Sequence, residues 1–144
     1  MYSIKFNNKE YKLPKNIIYY SIELKNKLLV TDNIHINKNL TNESFEWILS
    51  YVNVYIDNDM KDDNIPYIPP ISYLYEIIFD KKDVELFKIL INDEKLINDI
   101  LNTSKYLKMD NLTKKMCVLL VCLLFMKRTE KDKLDFLQKL NICD

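Results

Sequence analysis

Met116-Cys117-Val118-Leu119-Leu120-Val121-Cys122-Leu123-Leu124-Phe125-Met126 is an unbroken apolar run, and its reading separates a membrane chain from a globular one. A helix needs about 20 apolar residues to cross the hydrocarbon core. Lys114 and Lys115 precede the run and Lys127 and Arg128 follow it, so it is too short to span, and no membrane is expected as a partner. Leu112 to Met126 is instead expected to be a helix, and a helix apolar on every side has to be covered on every side. A terminal helix of a small domain finds that much cover with difficulty within its own chain. Two readings stand: burial wholly within the core, or burial shared with a partner's surface.

Upstream, Tyr2 to Phe6 and Glu10 to Leu13 are period-two segments separated by Asn7-Asn8-Lys9, which predicts an opening β-hairpin. From Pro14 to Leu29 the apolar residues fall near helical spacing, with Pro14 at or before the first turn. Ile34-His35-Ile36 suits a third short strand. Phe45, Ile48, Leu49, Val52, Tyr55 and Ile56 recur at helical steps behind Thr41 as N-cap, predicting a helix over Asn42–Ile56. Asp57 to Asn64, then Pro66, Pro69 and Pro70, read as a surface loop. Ser72 to Phe79, Val84 to Ile91, Lys95 to Leu107 and Lys131 to Leu140 are expected to be further helices. The fold class is therefore α/β: a small N-terminal sheet of about three short strands with a mostly helical remainder.

The 144 residues suffice for one domain with its own core. Lys plus Arg and Asp plus Glu are both 21, so no net field draws the chain to nucleic acid. The start lacks the charged and apolar regions of a secretory signal, and the three cysteines, two of them inside the apolar run, read as reduced thiols. An intracellular, reducing setting without disulfides is expected. Glycine is absent, which excludes phosphate-cradling and dinucleotide-binding loops.

Asp57, Asp59, Asp62 and Asp63 fail the calcium-loop pattern, because Lys61 and Asp62 occupy the positions that need Asp or Asn and then Gly; a solvated acidic loop is expected. His35 is the only histidine, and Cys117 and Cys122 lack the spacing of zinc or redox pairs. No cofactor and no enzyme activity are expected. Trp47 suits either a partly exposed contact or the edge of the core.

The element order resembles the S-phase-kinase-associated adaptor and elongin C family, which has a BTB/POZ fold. Ser3-Ile4-Lys5-Phe6 is similar to the family's opening Ser-Ile-Lys-Leu strand. Ile100-Leu101-Asn102-Thr103-Ser104-Lys105-Tyr106-Leu107 is similar to its Leu-Ile-Leu-Ala-Ala-Asn-Tyr-Leu helix. Leu112 and Cys117 match a Leu and a Cys of the next helix, and Leu140-Asn141-Ile142 matches a Phe-Asn-Ile ending. The acidic, proline-bearing insert is similar in place and kind.

The resemblance implies a BTB/POZ-like core over residues 1–110 and a helical extension over 111–144 within the same compact domain. It implies an adaptor bridging a cullin scaffold and an F-box protein in a ubiquitin ligase. Cys117, Leu120, Leu123, Leu140, Asn141 and Ile142 would meet the F-box-like partner, and Lys105 and Tyr106 the cullin. Lys105 stands where the family has Asn, and the kinase-associated adaptors continue past the position matching Asp144 into another clamping helix. The alternative is a self-associating BTB/POZ structural or decoy protein, a homodimer covering the same apolar surface.

Overall fold

The computed structural model describes residues 2–57, 61–63, 81–127 and 129–139. The chain opens with strands β1 (Tyr2–Phe6) and β2 (Lys9–Leu13), paired antiparallel with Tyr2 opposite Leu13 and Phe6 opposite Lys9. Asn7 and Asn8 make the turn at φ of 48° and 71°, the left-handed region that a two-residue hairpin turn requires and that asparagine tolerates. Asn7 also pins the hairpin: its Nδ2 donates to the Leu40 carbonyl at 2.6 Å, and its Oδ1 accepts from the Lys38 backbone at 3.1 Å. Strand β3 (Asn33–Ile36) lies parallel to β1, giving the order β2-β1-β3. Alternation sends Ile4, Phe6, Leu13, Ile34 and Ile36 to the buried face and Lys5, Lys12 and His35 to solvent.

The single helix expected from Pro14 to Leu29 is two pieces: a 3₁₀ turn over Lys15–Tyr19 and helix α1 (Ile22–Leu28). Ser21 divides them. Its backbone is extended at φ −133° and ψ 114°, and its buried hydroxyl accepts from the Leu24 N–H at 3.1 Å while donating to the Leu107 carbonyl at 2.5 Å. A serine that can cap a new helix start competes with continuing the old helix.

Helix α2 (Asn42–Asp57) starts behind Thr41, whose hydroxyl accepts from the Ser44 N–H at 3.2 Å. It buries Phe45, Trp47, Ile48, Tyr51, Val52 and Tyr55. Trp47 is an edge-of-core residue, 6% exposed and stacked near Tyr51 and Phe87. Among the described residues four helices follow: α3 (Lys81–Lys88), α4 (Glu94–Tyr106), α5 (Asp110–Met126) and α6 (Glu130–Lys139). The helix expected over Ser72 to Phe79 lies outside the described residues.

One hydrophobic cluster runs through the fold from Ile4 to Phe136. Helix α5 lies between α4 and α6 and buries Leu112, Met116, Val118, Leu119, Leu120, Cys122 and Leu123. Its outward stripe is Asp110, Lys114, Cys117 and the half-buried Val121. The chain thus supplies most of the cover that the apolar run demands. Among the described residues no helix is long and apolar enough to cross a membrane.

Candidate functional site

The residues expected to meet partners fall into four groups. Cys117 is exposed on the outward stripe of α5. Leu120 and Leu123, by contrast, are only 7% and 4% exposed, so they hold α5 in its own core and present no open apolar surface. Leu140, Asn141 and Ile142 lie outside the described residues. Lys105 and Tyr106 are half-buried at the end of α4, with the Lys38 ammonium 5.4 Å from the Tyr106 ring centre. Burial pushes the Cys117 thiol above its ordinary pKa, and the Lys105 charge acts on the same thiol in the opposite sense.

Helix α6 carries two exposed apolar positions, Leu134 and Leu137. Thr129 caps it through a hydrogen bond from the Asp132 N–H at 3.1 Å, and buried Phe136 seats it on the core. Lys127 lies over the Phe136 ring at 5.1 Å and pairs with Glu94 of α4 at 2.9 Å. Leu134 and Leu137, one turn apart, remain 57% and 48% exposed.

A second constellation went unseen in the sequence. Lys115 has no solvent exposure, although it reads as one of the charges flanking the apolar run. Its ammonium pairs with the equally buried Asp83 carboxylate of α3 at 3.0 Å and donates to the hydroxyls of Tyr55 at 2.7 Å and Tyr51 at 3.1 Å. Tyr55 donates in turn to Asp83, and Tyr51 to Asp62 at 3.0 Å, while Asn111 donates its amide to the other Asp62 oxygen at 3.2 Å. The ammonium thus has two hydroxyl acceptors and one carboxylate counter-charge, the kind of compensation that burial of a charge demands. The tyrosine faces add to this, with their ring centres 5.3 and 4.6 Å from the ammonium. Burial, and then the negative Asp62, hold Tyr51 far above the ordinary tyrosine pKa, so it stays a hydrogen-bond donor.

The expectation of a solvated acidic loop fails at Asp62. Its neighbours Lys61 and Asp63 are exposed, but Asp62 is only 6% exposed because Tyr51 and Asn111 reach it from two helices. Beside it opens a cleft of about 640 Å³ between the Tyr19-Tyr20 pair, the end of α2 and residues 61–63. Spacing held part of the signal: Lys115 is three residues from Leu112 and four from Leu119, on the inward side of α5, and Tyr51 and Tyr55 are four apart on α2. No spacing points to Asp62 or Asp83 as their partners, since those contacts span 11 and 28 residues.

Compared with known proteins, the sequence matches no family model and no curated protein.

Proposed function

We propose that the chain is a protein-interaction adaptor of the BTB/POZ type, bridging a cullin scaffold and an F-box protein in a ubiquitin ligase. Support comes from the order of elements: a hairpin, a parallel third strand and an amphipathic helix, then stacked helices ending in α5 and α6. Of the motifs quoted above, residues 3–6 lie in β1, residues 100–107 at the end of α4, and Leu112 and Cys117 in α5. The observation that carries the reading is the pair Leu134 and Leu137, left outward on a helix that Phe136 fixes to the core. With the outward Cys117 they are the positions through which α5 and α6 would grip a helical F-box-like partner. Leu120 and Leu123 act beneath that surface, as its support. Lys105 and Tyr106, held at the end of α4, would take the cullin.

Each half-exposed leucine gains roughly 1 kcal/mol when a partner covers the rest of it, so losing both costs about 2 kcal/mol of binding, or roughly 30-fold in Kd. Leu134→Asp with Leu137→Asp should therefore abolish capture of F-box proteins in pull-downs while leaving the urea midpoint near wild type. Equal capture by wild type and variant refutes this surface. Light scattering addresses the alternative: an adaptor is monomeric until its partner is added, whereas a stable dimer indifferent to an F-box peptide identifies a self-associating protein.

A further inference from the structure

The cleft beside Asp62 is built from unlike chemistries that converge on one kind of ligand. Its walls include Tyr19, Tyr20 and Tyr55, and Asp62 and Asp63 lie beside Lys61. Tyr19 is 79% exposed, a large aromatic side chain left in water at the mouth. Within the wall, the Asp62 carboxylate accepts from two neutral donors, the Tyr51 hydroxyl at 3.0 Å and the Asn111 amide at 3.2 Å. The nearby buried cation, Lys115, is committed to Asp83 at 3.0 Å. Among the described lining residues, two carboxylates stand against one exposed ammonium, one negative charge in excess, and the adjoining hollow adds Lys108 and Asp110, which cancel. An anion is disfavoured there. A bare metal ion would leave most of a space of about 640 Å³ unfilled and gain little from the phenol faces. An organic cation uses both features, since tyrosine faces attract a cation and shelter the methylenes next to it.

We propose that this cleft binds a primary alkylammonium group, with its charge against Asp62 and Asp63 and its methylenes against the Tyr19 and Tyr20 rings, Tyr55 being buried in the wall with its ring turned to Lys115. The group can come from a free polyamine or from a lysine side chain offered by another protein. The proposal is independent of the adaptor reading, because the cleft and the Leu134–Leu137 pair share no residue.

The test is calorimetric titration of the full chain with three probes: spermidine, Nα-acetyl-lysine methylamide, and its uncharged analogue Nα-acetyl-norleucine methylamide. Saturable binding of an amine with Kd of roughly 1 mM or tighter is expected, weakening as salt is raised. Spermidine alone binding assigns the cleft to free polyamines, the lysine probe alone assigns it to a partner's side chain, and both binding supports the shared chemistry. Asp62→Asn disturbs the buried network, so the informative variants are the exposed ones, Tyr19→Ala and Asp63→Asn. Each should weaken binding by roughly threefold to tenfold with the fold intact. The proposal is overturned if neither amine binds, if the norleucine probe binds as well as the lysine probe, or if both variants bind like wild type.

Discussion

Replacing Lys115 by methionine tests whether the buried network is held together by charge. Methionine keeps the length and much of the volume of the lysine stem, so packing between Tyr51 and Tyr55 survives. What disappears is the ammonium 3.0 Å from Asp83, together with its hydrogen bonds to two hydroxyls. Each tyrosine still donates to its own aspartate, so the hydroxyls remain engaged. The main loss is at Asp83, a carboxylate with no solvent exposure deprived of this counter-charge. Breaking a buried pair from one side costs about 3–5 kcal/mol. Removing both charges, with Lys115→Met and Asp83→Leu, spares that carboxylate and deprives the Tyr55 hydroxyl of two partners, a cost of about 1–3 kcal/mol. The double variant is therefore expected to be more stable than the single one. Urea unfolding followed by Trp47 fluorescence measures this: at a slope of about 2 kcal/mol per M, Lys115→Met should lower the midpoint by about 2 M, with part recovered in the double variant. A loss below about 1 kcal/mol for the single variant, or a double variant less stable than the single, would refute the charge-pairing account.

Other consequences are open to direct measurement. Leu120→Asp with Leu123→Asp should unfold the chain, since each places a carboxylate at a buried position, and a folded variant by circular dichroism would contradict that packing. Ser21→Ala removes both the cap on α1 and the donor to the Leu107 carbonyl, and should lower stability by about 2 kcal/mol in urea. Burial pushes the Cys122 thiol from 9.0 up to about 11, so its stabilising share is present below pH 9 and lost as pH rises through about 11. Wild type should therefore lose more stability than Cys122→Ala between those pH values. In a Cys143→Ser background at pH 8, a thiol reagent should label exposed Cys117 first and reach buried Cys122 only on unfolding.

Where local chemistry decides structure, the elements were legible from the sequence. Asn7-Asn8 can turn left-handed, Thr41 can cap, and Ile4, Phe6, Ile34 and Ile36 alternate, so the hairpin, the start of α2 and the third strand follow from neighbours in the chain. The break at Ser21 was not legible, because the carbonyl that rewards it belongs to Leu107, 86 residues away. The buried lysine is the same kind of case. A charge at the edge of an apolar run normally faces water, and only the arrival of Asp83, Tyr51 and Tyr55 from other helices makes burial tolerable.

That buried lysine also explains why the apolar run needs less outside cover than its composition suggests. Counting apolar residues treats α5 as a cylinder that must be wrapped with oil, yet its first turns carry Asp110, Lys114 and Cys117 outward and bury Lys115 in a polar network. Leu119, Leu120, Cys122 and Leu123 then need only the sides supplied by α4, α6 and the rest of the core. Helix α6 keeps Leu134 and Leu137 outward because a helix of 10 residues anchored by Phe136 cannot turn every leucine to the core, and Leu29, Val30 and Ile89 are exposed apolar residues elsewhere on the chain. On the adaptor reading proposed above, the partner-facing surface at this end of the fold would belong to the covering helix, with the long apolar run as its base.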